Sequence, residues 1–158
     1  MFLYEAFAPE LIKIGLEAED KDEVFEELVD QFCRIHKSDN REEILASLKE
    51  RESKMSTGIH KGIAVPHGKT AGVEQGYGIL GISKKGIDYD ALDGQPVFLV
   101  FMILSPKMDT DMHLRIFRRL SVMLDNHQFF TELMAQNDPQ SANRIIKKYE
   151  EIYIASNA

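Results

Sequence analysis

Asp93-Gly94-Gln95-Pro96-Val97-Phe98-Leu99-Val100-Phe101-Met102-Ile103-Leu104-Ser105-Pro106 is the stretch whose reading decides the fold. Its centre, Val97 to Leu104, is an unbroken apolar run between two prolines. A run of strand length with no polar alternation belongs to a strand covered on both faces, which calls for helices on either side of a sheet. The preceding Asp-Gly-Gln-Pro reads as a loop.

Upstream, Tyr77 to Ser83 is a second strand of small and apolar residues, and Lys84 to Gly86 reads as a turn. Gly58, Gly62, Pro66 and Gly68 punctuate a shorter apolar run, Ile63 to Val65, giving loop, strand and loop, with His67 where the strand ends. Helices lie outside this block. One starts near Asp20, with Glu23 placed to complete a capping box and Val24, Phe25, Leu28, Val29, Phe32 and Ile35 on one face. A second opens around Ser38 or Asp39, turns Ile44, Leu45 and Leu48 inward, and ends at about Glu52. After the apolar strand, Asp109, Thr110 and Asp111 are candidate caps for a helix whose face is Leu114, Phe117, Leu120, Ser121 and Leu124. A short segment, Phe129 to Ala135, follows, and Asp138-Pro139 starts a last helix through about Tyr153. Helices, then strands, then helices without strict alternation predict an α/β fold: a single three-layer α/β/α domain, residues 1–158, with a mixed central sheet.

Composition narrows the function. The chain has 158 residues, 44% hydrophobic and 28% charged, which suits one domain with a real core. Its formal charge of -7 disfavours nucleic acid and anionic membrane surfaces as general partners. The single cysteine, Cys33, excludes an internal disulfide framework or a cysteine zinc cluster and is expected to pack as a small hydrophobe. No leader pattern and no apolar run of spanning length occur, so the expectation is a soluble, unprocessed, cytoplasmic protein without direct membrane insertion.

Chemistry concentrates at one of the five histidines. His67 stands in Gly62-Ile63-Ala64-Val65-Pro66-His67-Gly68-Lys69-Thr70, where Pro66 stiffens the approach, Gly68 admits a close backbone, and Lys69 and Thr70 offer a cation and a hydroxyl. An imidazole so placed can receive a phosphoryl group, its oxygens met by N–H donors and positive charge. A histidine at a loop end can equally serve only to pack or hydrogen-bond. A zinc site from His60, His67 and His113 lacks a carboxylate at ligand spacing. His36 and His127 read as surface or helix-end residues, and Met102, Met108, Met112 and Met123 as core or interface packing. Gly72, Gly76, Gly78 and Gly81 lack the Lys-Ser/Thr ending of a nucleotide phosphate loop and read as turns and a tightly packed strand.

The segment R-E-S-K-M-S-T-G-I-H-K-G-I-A-V-P-H-G-K-T, Arg51 to Thr70, resembles the active-site signature of enzyme IIA of the fructose and mannitol class of the bacterial phosphotransferase system, which includes nitrogen-regulatory members. Asp93 to Val97, the Leu-Ser-Pro ending at Pro106, and His113-Leu114 follow in the family's order, so the resemblance runs from about Pro9 to Leu124. It implies that His67 is phosphorylated, that Arg51 is a cation held beside it, and that His113 is the second active-site histidine. Arg51 at a helix end also answers the helix dipole or pairs with Glu50, and His113 can cap or line the following helix. The implied partners are the histidine-containing phosphocarrier protein as donor and an enzyme IIB, or a regulatory target, downstream. No cofactor or metal is implied.

Overall fold

The computed structural model describes residues 1–157. Order along the chain is α1 (Leu3–Ala6), a 3-10 turn (Pro9–Leu11), β1 (Ile12–Ile14), α2 (Lys21–His36), α3 (Arg41–Lys54), β2 (Ile63–Ala64), β3 (His67–Thr70), β4 (Tyr77–Ile87), β5 (Val97–Pro106), α4 (Thr110–Leu124), α5 (His127–Met134) and α6 (Pro139–Ser156). The apolar run forms β5, the central strand. On one side β5 pairs antiparallel with β4, and β4 pairs parallel with β1; on its other side β5 pairs parallel with β2 and β3. The sheet is therefore mixed.

From Leu99 onward β5 alternates between two cores. Val100, Met102 and Leu104 join Phe25, Leu28, Val29, Phe32, Ile44 and Leu48 of α2 and α3. Leu99, Phe101 and Ile103 join Ile116 and Leu120 of α4, Phe129 and Leu133 of α5, and Ile146 and Tyr149 of α6. Burial on both faces is what an apolar run without polar alternation demands.

Aspartates start three of the helices by accepting a backbone N–H: Asp20 from Glu23, Asp109 from Met112 and Asp138 from Ser141. At α2 the box closes one residue earlier than expected, since the Glu23 carboxylate accepts from the Glu19 N–H at 2.8 Å. The second helix begins at Arg41 and runs to Lys54, later at both ends than expected. Asn40 precedes it and sends its side chain to the Gly72 carbonyl instead of capping it.

Two strand expectations are corrected. His67 does not end a strand; it begins β3. Pro66 has no N–H to give to a ladder, so pairing with β5 lapses after Ala64. It resumes at His67 in unchanged register, with Ile63 opposite Leu99 and His67 opposite Ile103. Lys84 to Gly86 is no turn but part of β4, where the register with β5 shifts between Ile82 and Ile87 and Gly86 takes φ 89°. A strand that absorbs an irregularity this way bends without ending.

The buried face of α4 is also rotated from the expected one. His113, Ile116, Leu120, Met123 and Leu124 point inward, while Leu114 is 59% exposed. Met108 is almost fully exposed rather than packed, and Cys33 is half-buried against the first core. β1 escapes sequence reading because three residues carry too little periodicity. Gly78 and Gly81 do pack tightly: a Cβ there would come within 2.5 Å of Phe7 and 2.7 Å of Leu16.

Candidate functional site

Because β3 follows a proline and pleats in register with β5, His67 and Lys69 face one way and Gly68 and Thr70 the other. A Cβ on Gly68 would lie 2.6 Å from Ser47 Oγ, so glycine there lets α3 close onto the strand. That contact brings the last turns of α3 to the site. Ser47, Arg51 and Lys54 follow helical spacing along one face and line a cavity of about 310 Å3 together with Glu50, His67, Gly68, Lys69 and His113. The three residues expected from sequence, His67, Arg51 and His113, are thus brought together, and His60 is not among the lining residues.

The His67 ring is fixed from two sides. Its Nδ1 is 2.9 Å from the Val65 carbonyl, and the Phe117 ring meets it edge-on at a centroid distance of 4.8 Å. A carbonyl can only accept, so Nδ1 carries the proton and Nε2 keeps its lone pair. The His67 pKa is held below the ordinary histidine value, chiefly by burial, with the Arg51 charge acting in the same direction. The downward shift favours the neutral ring, with Nε2 left without a protein partner among the described residues.

His113 arrives from the first turns of α4, 5.3 Å from the His67 ring between centroids. It is buried, with Nδ1 2.7 Å from the hydroxyl of Ser105 at the end of β5. Burial first, then His67 where it is protonated and the Lys69 charge, push its pKa down to about 4, so at pH 7 this ring is neutral. Arg51 donates from one guanidinium nitrogen to the Met55 carbonyl at 2.8 Å, tying down the chain beyond α3 rather than pairing with Glu50. An arginine fork has further N–H groups to offer an anion.

Two neutral imidazoles, one guanidinium and the ammonium groups of Lys54 and Lys69 around an open cleft suit a dianionic group attached to one of the rings. A model of the family described as the phosphoenolpyruvate-dependent sugar phosphotransferase system, EIIA 2, matches residues 5–149. The chain belongs to this family. It is 35% identical over 150 residues to the fructose-specific EIIABC component of Bacillus subtilis, which covers 95% of this chain and 24% of that protein. It is 32% identical over 142 residues to the fructose-specific EIIA component of Haloferax volcanii, covering 90% and 92%. The crystal structure of the nitrogen regulatory protein IIA-Ntr from Neisseria meningitidis matches with a TM-score of 0.83 at 29% identity, covering 91% of this chain and 98% of that one. The chain thus spans about a quarter of the first relative and nearly all of the other two. It stands among IIA phosphoryl carriers and nitrogen-type regulators.

In this EIIA 2 chain, Thr70 contributes nothing to the cleft. Its hydroxyl is buried and accepts from the Gly72 N–H, closing the turn after β3. Ser47, Lys54 and Ser105 were not expected from sequence. Ser47 and Lys54 share the helical face of Arg51 and were legible from that spacing alone; Ser105 had no local signal beyond its place at a strand end. No helix among the described residues is long and apolar enough to cross a membrane.

Proposed function

We propose that this protein is a phosphoryl carrier of the phosphotransferase system, with residues 1–158 acting as one IIA domain and His67 Nε2 as the atom that bears the phosphoryl group. The observation that carries the reading is the Nδ1 contact to Val65, which leaves the lone pair on Nε2 of a ring that lines the cleft. The histidine-containing phosphocarrier protein is the donor in this reading. Nε2 attacks phosphorus as the N–P bond to the donor histidine breaks, and the departing donor nitrogen takes back its electron pair. No proton has to leave His67 first. The ring becomes cationic as the bond forms, and Nδ1–H to Val65 strengthens with that charge.

The supporting groups follow from their chemistry. Arg51 meets the phosphoryl oxygens with donors in a rigid fork, and His113 donates a hydrogen bond to one of them. In-line transfer asks for position and charge compensation more than covalent help, and no metal is required in this scheme. Exposed apolar side chains on the segments bounding the cleft, Met55, Met108 and Leu114, supply a surface for a donor and an acceptor docking in turn.

Downstream, an enzyme IIB takes the phosphoryl group for sugar uptake, in line with the fructose-specific names of two relatives. The second reading is a regulator whose phosphorylation state controls binding to transporters or other targets, favoured by the likeness to IIA-Ntr. Incubation with phosphoenolpyruvate, enzyme I and the phosphocarrier protein, followed by intact-mass measurement, tests what both readings share. One acid-labile phosphoryl group on the parent and none on His67→Ala is expected; an unmodified parent overturns the proposal. Adding IIB, the membrane component and sugar then separates the two readings, since a regulator yields no sugar phosphate.

A further inference from the structure

Ser105 is fully buried, and its hydroxyl meets Nδ1 of His113 at 2.7 Å. Either atom can in principle donate, but the choices are unequal. If Nδ1 carried the proton, the serine hydroxyl would accept and its own hydrogen would be left buried without an acceptor, because no other hydrogen bond of Ser105 Oγ is found among the described residues. An unmet buried donor is costly, so the serine hydroxyl donates and Nδ1 accepts. The one proton of a neutral imidazole is then on Nε2, the nitrogen without a protein partner, on a ring that lines the cleft.

We propose that Ser105 is a positioning residue that sets the tautomer and tilt of His113, so that its Nε2–H points as a donor into the cleft beside His67. This inference rests on the carrier reading for its purpose but on hydrogen bonding alone for its geometry. The two histidines are thereby set in opposite senses by their hydrogen-bond partners, Val65 beside β3 and Ser105 on β5. The Val65 carbonyl, which only accepts, makes Nε2 of His67 a nucleophile; the Ser105 hydroxyl, which must donate, makes Nε2 of His113 a donor. Two neutral rings at 5.3 Å divide nucleophile and donor between them, and neither can exchange roles without leaving a buried group unmet. β5 explains the precision, since Ser105 is paired with Lys69 in the same ladder that pairs His67 with Ile103.

The test is long-range 1H–15N NMR of the unphosphorylated parent and of Ser105→Ala at pH 7.5, with phosphorylation rates measured on both. In the parent, His113 should show a protonated Nε2 and a bare Nδ1 shifted by an accepted hydrogen bond. In Ser105→Ala that Nδ1 shift moves to the position of an unbonded nitrogen, while His67 keeps its signals, and transfer slows about tenfold as the donor loses its fixed direction. A proton on Nδ1 of His113 in the parent, an unmoved Nδ1 signal in the variant, or a variant transferring at the parental rate overturns the assignment. A parent that takes up no phosphate sinks the carrier reading instead, and the NMR comparison still decides which way the Ser105 bond runs.

Discussion

At the scale of single residues, the proposed transfer depends on keeping two imidazoles neutral and one cation directional. Both His67 and His113 are pushed below the ordinary histidine range, mainly by burial, His113 to about 4. An imidazole titration by NMR is expected to give midpoints below 6.5 for both, with His113 far lower; a His67 midpoint at or above 6.5 contradicts the electrostatics. The same shift bears on stability. The folded values lie under the unfolded one, so the unfolded chain takes up protons first as pH falls. The histidine contribution is therefore complete above about 6.5 and is lost as pH falls toward 4, on the order of 3 kcal/mol for His113. Arg51→Lys keeps the charge and loses the fork. A hydrogen bond to a charged group is worth about 1.5–3 kcal/mol, so transfer by Arg51→Lys should fall about 10- to 100-fold in a phosphorylation assay. An unchanged rate would confine Arg51 to its contact with Met55.

Elements explain why these residues meet. Gly68 is the point at which α3 touches β3, and a side chain there collides with Ser47 at 2.6 Å for Oγ and 3.2 Å for the backbone carbonyl carbon. Gly68→Ala should cost about 1–3 kcal/mol in denaturant unfolding. It should also slow phosphorylation, because α3 carries Arg51 away as it shifts. Full activity in that variant would show that Arg51 does not need this approach. The capped helices were legible in the sequence because a cap is local chemistry: Asp20, Asp109 and Asp138 each lie three residues from the N–H they accept. β3 was not, because what restarts the strand after Pro66 is β5, distant in sequence but adjacent in the sheet, with His67 opposite Ile103. The buried face of α4 differs from its hydropathy pattern for a similar reason. Leu114 looks like core by hydropathy, but the ring of His113 takes the buried place because Ser105 waits for it.

Across the whole molecule, a second buried polar node lies on the α4–α6 side of the sheet, where the Glu150 carboxylate of α6 accepts from the Leu3 and Tyr4 N–H groups of α1 and pairs with Arg119 of α4 at 2.8 Å. It joins three helices, and none of its residues is among those lining the cleft. Glu150→Ala leaves two N–H groups and a guanidinium unmet and should lower unfolding stability by about 3 kcal/mol while phosphorylation of the folded protein continues. A stability within experimental error of the parent would remove Glu150 from the account of how α1 is held. At this scale the three layers were legible from one apolar strand, and His67, Arg51 and His113 from a family resemblance. Ser47 and Lys54 follow from their helical spacing to Arg51, whereas Ser105 emerges only when β5 and α4 are brought together.

The central claim, a phosphoryl group on Nε2 of His67, is tested most directly by 1H–15N correlation of the phosphorylated, 15N-histidine-labelled protein. Phosphorus coupled to Nε2 of His67, with Nδ1 still protonated and bonded to Val65, is the expected result. Phosphorus on Nδ1 of His67, or on any other residue, would contradict it.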